Sequence, residues 1–335
     1  MERQMNYLQA LRESLMQEMR RDERVVVVGE DVRHSLRGIT KGCLAEFGPL
    51  RIWDAPISES GFVGMATGAA IAGLRPVVEF QIGTLIYVCF EQIVNQAQKL
   101  RYMMGGQGRI PVTYIVPGSG ARAGLAGQHS DHLYPMLMQA GVKVVIPATP
   151  ADAKGLFTAA MREDDPVVIF APAGSMSARG PVPEGDFVTP LGVGEIKVAG
   201  GDVTVVAIGP LVPEAVKVAT RMQDEGVSVE VLDPRSLLPF DHGTLADSVR
   251  RTGRLVIFDD ANRTCGMAAE ISAFAAEELF TDLRAPIVRI TRSDVPVPFS
   301  IAIDKHVLPK PEQLEAAIRH VMSFDLFHAG AALSR

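Results

Sequence analysis

Asp54-Ala55-Pro56-Ile57-Ser58-Glu59-Ser60-Gly61-Phe62-Val63-Gly64 is the stretch on which the reading of this chain turns. A short loop ends at Ser58, a side chain suited to capping a helix. Glu59 then falls in the first turn, where a negative charge is tolerated. The residues that follow, from Gly61 to Gly73, are crowded with Gly and Ala. Gly lowers helix stability by roughly 1 kcal/mol relative to Ala, so this is a poor helix for a face that meets only water. It makes sense where something must come close to its backbone. Spacing alone leaves two readings open. One is a tightly packed core helix with Glu59 as a solvated first-turn acid; the other is a functional carboxylate at the mouth of a helix built for close approach.

Outward from that stretch, short β-branched runs recur at 25–28, 77–80, 112–116, 142–146 and 167–170, each followed by a helix-like segment. A second series follows at 203–208, 227–232, 255–258 and 288–290. Continuous apolar strands alternating with helices predict an α/β fold with parallel sheets covered on both faces. Between the two series, residues 171–194 are dense in Pro and Gly with weak periodicity, which reads as an interdomain linker. The expectation is a larger α/β domain at about 1–190, a smaller one at about 200–325, and a tail at 326–335 with little to pack against. A length of 335 residues fits two domains.

Composition narrows the function. The net charge of -6 argues against a dedicated nucleic-acid binder, and there is no basic run or basic-aromatic groove pattern. The three cysteines, Cys43, Cys89 and Cys265, form neither a disulfide framework nor a metal-ligand spacing, which suits a reducing compartment. The N-terminus leads into an amphipathic pattern (Met5, Leu8, Leu11, Leu15), not a signal peptide. No apolar run reaches the ~20 residues that a membrane span needs. A cytoplasmic protein is expected, in a bacterium or an organelle.

Several motifs are weighed and set aside. Pro117-Gly118-Ser119-Gly120 follows a strand but lacks the dinucleotide-binding spacing and its downstream acid, which disfavours a Rossmann dehydrogenase. There is no Walker A loop and no nucleophile elbow. His129, Asp131 and His132 raise the idea of a metal site, but no second ligand cluster accompanies them.

An ordered set of segments does converge. After residues 54–64 come Gly73-Leu74-Arg75-Pro76-Val77-Val78-Glu79, Glu91-Gln92-Ile93-Val94-Asn95-Gln96, Arg101-Tyr102-Met103, Gly105-Gly106-Gln107 and Gln128-His129-Ser130. Then follow Thr149-Pro150, Asp152-Ala153-Lys154-Gly155-Leu156, Asp164-Asp165-Pro166, Pro296-Val297-Pro298-Phe299 and Leu308-Pro309. Nearly end to end, the chain resembles the β subunit of the thiamine-diphosphate-dependent 2-oxo acid dehydrogenase E1 component, of the pyruvate, acetoin and branched-chain type. The resemblance implies a transketolase-like pyrimidine-binding domain followed by a transketolase C-terminal domain.

It also implies roles. Glu59 would hydrogen-bond the aminopyrimidine of thiamine diphosphate and favour the imino tautomer that removes the thiazolium C2 proton. The cofactor carries the difficult chemistry and the protein supplies orientation and proton management. Ile57, Gln81 and Leu85 would lie against the cofactor, and His129 would face its substrate end. A structural histidine in that loop is the plain alternative. A potassium ion would be bound largely through main-chain carbonyls at positions matching Val112, Ala160, Met161, Glu163 and Asp165. The family holds the diphosphate through a metal bound by Gly-Asp-Gly and a later Asn, and no Gly-Asp-Gly occurs here. The resemblance therefore implies a separate α subunit carrying the diphosphate and Mg²⁺, in an α₂β₂ heterotetramer. It implies a lipoyl acyltransferase E2 as acceptor of the acyl group.

The chain departs from the family in places. Gln81-Ile82-Gly83-Thr84-Leu85 stands where Met, an aromatic and Asp-Phe are usual, so Leu85 offers apolar contact without ring stacking, a difference on the order of 1 kcal/mol. Asp131 replaces the usual Gln. Ala171-Pro172-Ala173-Gly174 lacks the usual acidic and basic pair. These changes put the substrate in doubt. A two-subunit transketolase-like or carboligase enzyme, using His129, His132 and Arg122 to bind sugar hydroxyls or phosphates, stays open. So does a non-catalytic subunit that only completes an interface.

Overall fold

The computed structural model describes residues 3–120, 125–304 and 306–324 of the 335-residue chain. The described residues divide into two compact units. The first contains 1–192 together with 236–239, and the second contains 193–235 and 240–335. The expected tail at 326–335 lies outside the described residues.

The first unit begins with β1 (Gln4–Asn6), α1 (Tyr7–Arg21), β2 (Val25–Gly29), α2 (Cys43–Phe47), β3 (Ile52–Asp54), α3 (Glu59–Ile71) and β4 (Arg75–Glu79). A 3₁₀ turn, Gly83–Leu85, leads to α4 (Ile86–Glu91), a π-helical segment Gln92–Gln98 and α5 (Leu100–Met103). After these come β5 (Thr113–Ser119), a 3₁₀ turn Gly127–His129, α6 (Tyr134–Gln139), β6 (Lys143–Val145), α7 (Pro150–Arg162), β7 (Val167–Pro172) and β8 (Arg179–Pro181). The second unit holds β9 (Glu195–Val198), β10 (Val203–Ala207), α8 (Val212–Asp224) and β11 (Val229–Asp233). The chain then lends β12 (Ser236–Leu238) to the first unit. It continues as α9 (His242–Thr252), β13 (Leu255–Asn262), α10 (Met267–Glu278), β14 (Val288–Arg292), α11 (Ile301–Asp304) and α12 (Pro311–Ser323).

The main sheet of the first unit has seven strands in the order β12-β6-β7-β5-β4-β2-β3, parallel except for the edge strand β12. The sheet of the second unit runs β14-β13-β10-β11-β9, parallel except for β9. The expected parallel α/β architecture is therefore present, with antiparallel strands at edges. β1 and β8 add a small antiparallel pair, so the stretch read as a linker carries a strand. Every residue of β2 and β4 is buried, as expected of strands covered on both faces.

One face of the main sheet is covered by α1 and α7. Tyr7, Leu11, Leu15 and Met19 meet Leu156, Phe157 and Met161 over Val25, Val27, Val77, Ile115 and Ile169. Helix starts are well specified. Asn6 and Gln9 form a reciprocal capping box on α1, with bonds of 2.7 and 3.0 Å. On α7, Thr149 accepts from the Asp152 amide at 3.1 Å and Pro150 occupies the first turn. The Thr149-Pro150…Asp152 motif is thus a helix start, with Pro where its missing N–H costs nothing. On the other face Phe62 of α3, Phe80 and Tyr114 form a line of rings with centroids 6.1 and 6.3 Å apart. That packing fixes where α3 begins.

Candidate active site

β2 and β4 run side by side with Gly29 opposite Glu79, so their carboxyl ends stop together. The residues just past that edge are Glu30 and Gln81. In open parallel sheets this is the edge at which ligands bind. α3 brings Glu59 to the same place. Glu59 is only 6% exposed, so the reading of a solvated first-turn acid does not hold. Its carboxyl lies beside that of Glu30, close enough for the two groups to interact. Glu30 ionises less readily than an ordinary glutamate, first because it is desolvated, then because Glu59 and Asp31 place negative charge beside it. One carboxyl oxygen of Glu30, Oε1, is buried with no protein partner. Negative charge on one carboxyl disfavours ionisation of its neighbour, so Glu30 beside Glu59 keeps a proton more readily than a lone carboxyl would. The sequence reading missed Glu30. Its one signal was an acid directly after a fully apolar strand end.

The small residues of α3 now have specific causes. Ser58 occupies the cap position, but its side chain makes no capping bond. A Cβ at position 61 would lie 2.5 Å from Ser58 Oγ, and one at position 64 would lie 3.2 Å from Gln92 Oε1. A larger residue at 61 or 64 would therefore have to shift the Ser58 or Gln92 side chain. A Cβ at Gly68 would meet nothing within 4 Å. Gly68, Met65 and Ile71 lie on the exposed side of the helix, while Phe62, Val63, Ala66 and Ala70 are buried. Ser60 Oγ donates to the Val88 carbonyl at 2.7 Å and ties the helix start to α4.

The other expected site residues fall as follows. Ile57 is 86% exposed at the loop end beside Glu59. Gln81 is buried with both ends of its amide engaged: Nε2 donates to the Glu30 carbonyl at 2.5 Å, and Oε1 accepts from Arg37 Nε at 3.1 Å. Leu85 is half-buried in the turn Gly83–Leu85, which packs against the turn Gly127–His129. His129 is half-buried at the end of that second turn. Arg122 lies outside the described residues. No group of three or more His, Cys, Asp or Glu among the described residues could hold a metal ion, so His129, Asp131 and His132 do not form one.

The carbonyls expected around potassium lie near the buried side chain of Arg75. The Met161 carbonyl accepts from Arg75 Nε at 3.0 Å, and the Glu163 carbonyl from Arg75 Nη2. The Ala160 carbonyl accepts from Thr113 Oγ1 at 3.1 Å, and the Val112 carbonyl from the Val167 amide at 3.1 Å. The Asp165 carboxylate is held by Arg101 at 2.5 Å and Lys143 at 3.3 Å. The Ala160 carbonyl also accepts from the Glu163 amide at 3.2 Å, so both of its lone pairs are engaged and a potassium ion there would have to displace a donor.

A further acid escaped the sequence reading. Glu79, at the end of β4, is 1% exposed, and neither of its carboxyl oxygens has a hydrogen-bond partner. Desolvation pushes its ionisation up to about 8, against a smaller opposing pull from Arg37. It is therefore protonated through most of the physiological range.

Comparison with known proteins agrees with this architecture. Residues 3–177 match the transketolase pyrimidine-binding domain, and residues 192–314 match the transketolase C-terminal domain. The chain is 41% identical over 321 residues to the β subunit of acetoin:2,6-dichlorophenolindophenol oxidoreductase from Bacillus subtilis, covering 91% of this chain and 93% of that protein. It is 38% identical over 319 residues to the pyruvate dehydrogenase E1 component β subunit of Staphylococcus epidermidis, covering 94% and 98%. It is 34% identical over 325 residues to the 2-oxoisovalerate dehydrogenase β subunit of Bacillus subtilis, covering 96% and 99%. Among solved structures, a split-gene transketolase described as an inactive β4 tetramer superimposes with a TM-score of 0.77 at 23% identity, over 95% of this chain and 98% of that one. No helix among the described residues is long and apolar enough to cross a membrane. On its fold, its two domain matches and its relatives, the chain belongs to the family of E1 β subunits of the pyruvate, acetoin and branched-chain 2-oxo acid dehydrogenases.

Proposed function

We propose that the chain is the proton-handling half of a two-subunit, thiamine-diphosphate-dependent E1. With an α subunit it would decarboxylate a pyruvate-like 2-oxo acid and pass the acyl group to a lipoyl carrier on an E2 acyltransferase. The observation that carries this reading is the buried Glu59 beside the half-buried Glu30 at the carboxyl edge of the main sheet. Thiamine diphosphate, when bound, supplies the nucleophilic carbon. Glu59 holds a proton at the aminopyrimidine ring nitrogen, with Glu30 beside it. Ile57 and Leu85 give the ring apolar contact. His129 faces the substrate end, where it stabilises the carboxylate or moves a proton during acyl transfer.

The α partner supplies what the sequence lacks, a Gly-Asp-Gly segment for Mg²⁺ and the diphosphate. The open side of α3 at Gly68 suits the approach of that partner, in an α₂β₂ assembly. A structural potassium ion held largely by the carbonyls of Val112, Ala160, Met161, Glu163 and Asp165 belongs to the same reading.

A second reading has acetoin as the substrate. It is favoured by relatives with that name at 41% and 39% identity and by the altered segment 81–85. One experiment separates the options. The chain is co-expressed with a candidate α subunit and screened with 2-oxo acids, acetoin and sugar phosphates for thiamine-dependent reduction of 2,6-dichlorophenolindophenol. Turnover of a 2-oxo acid supports the first reading and turnover of acetoin alone the second. Turnover of sugar phosphates alone contradicts both.

A further inference from the structure

Residues 83–87 are tied to the loop that carries His129. Three contacts join the two segments. Thr84 Oγ1 donates to the Gln128 carbonyl at 2.5 Å. The Tyr87 hydroxyl lies 3.4 Å from Asp131 Oδ2. Gly83 is packed so closely that a Cβ there would stand 3.3 Å from Val116 Cγ1 and 3.7 Å from the Asp131 carbonyl. The Thr84 hydroxyl thus bridges the two turns at the residue directly before the histidine.

The loop needs such a tie. Ala126, just before the turn Gly127–His129, has φ +60° and ψ −176°, a backbone region that is nearly exclusive to glycine. A non-glycine residue there is held only when its surroundings over-determine it, and such residues cluster at functional sites. The turn itself has one 3.2 Å bond from the His129 amide to the Ala126 carbonyl and a long 3.5 Å bond from the Ser130 amide to the Gly127 carbonyl. A strained entry of this kind makes the position of His129 depend on contacts that hold the turn in place. A threonine hydroxyl can donate to a carbonyl, as Thr84 does here.

We infer that Thr84 is a positioning residue: its hydroxyl latches the strained Ala126–His129 turn through the Gln128 carbonyl and so sets where His129 stands relative to the reacting groups. The kinetic consequence rests on the proposed function; the latch itself does not.

The test uses the α–β complex with four variants: Thr84→Val, Thr84→Ser, His129→Ala and the Thr84→Val/His129→Ala double. Backbone hydrogen exchange is read at the amides of His129 and Ser130. Thr84→Val should speed exchange there about three- to tenfold, the scale of one lost hydrogen bond, and Thr84→Ser should leave it near wild type. In turnover, Thr84→Val should lower kcat by a similar factor with less change in KM. The effect should vanish in the His129→Ala background, because residues that act as a unit are not additive. Unchanged exchange in Thr84→Val overturns the latch. An equal kcat loss with and without His129 overturns its action through that histidine. If the wild-type complex turns over no substrate, the functional reading fails while the exchange measurement still decides the latch.

Discussion

Glu79→Gln should flatten the pH dependence of this protein's stability. Glu79 is 1% exposed at the end of β4, and neither of its carboxyl oxygens is hydrogen-bonded. Burial holds its ionisation at about 8, against an ordinary value of 4.5. The folded-state value is raised, so the folded chain keeps this proton where the unfolded chain has lost it. Stability from this group is fully present below pH 4.5 and is lost as pH rises towards 8. At about 1.36 kcal/mol for each tenfold change in proton affinity, the loss between pH 5 and pH 8 is about 3.5 kcal/mol. For a unit of this size, that corresponds to a fall of about 7–14 °C in Tm. The Gln variant has the same shape and no proton to lose. It should match the wild type within about 1 kcal/mol at pH 5 and exceed it by several degrees at pH 8. Thermal unfolding of both proteins across that range is the assay. Parallel pH curves would refute the reasoning, because they would mean that Glu79 ionises normally or finds a partner when charged.

Three further outcomes follow from the packing. Lys154 is fully buried and donates to Glu13 at 2.8 Å and to the carbonyls of Pro183 and Gly185 at 2.7 and 2.8 Å, so Lys154→Met should cost about 3–5 kcal/mol in urea unfolding by stranding those acceptors. Arg75→Met removes the donors to the Met161 and Glu163 carbonyls at the end of α7 and should cost about 2–4 kcal/mol by the same measurement. Gly68→Leu adds a side chain where nothing lies within 4 Å, so the isolated chain should keep or gain up to about 1 kcal/mol. Its affinity for the α subunit, measured by calorimetric titration, should fall at least tenfold; unchanged affinity would remove α3 from the interface.

The long strands were legible because burial on both faces leaves unbroken apolar runs such as Val25-Val26-Val27-Val28. The short antiparallel strands β1, β8, β9 and β12 were not, since three or four residues carry no usable period. β8 was hidden in a Pro- and Gly-rich stretch whose composition also suits a linker. The odd composition of the helix behind Glu59 singled that residue out, and the fold buries it. Glu30 and Glu79 were not, because an acid at a strand end reads as solvated unless the tertiary structure buries it. Gln81 was expected against the cofactor, but its amide is already used to bind Arg37 and the Glu30 carbonyl, contacts that sequence spacing cannot reveal.

The central claim is that Glu59, paired with Glu30, manages the proton that activates the cofactor. The direct measurement is the rate at which the thiazolium C2 proton of bound thiamine diphosphate exchanges with deuterium in the α–β complex. Glu59→Gln preserves shape and removes the acid, and should slow that exchange by at least about a hundredfold while the complex stays assembled, the range expected for loss of a positioned acid or base. Near-normal exchange in an assembled Glu59→Gln complex would contradict the account.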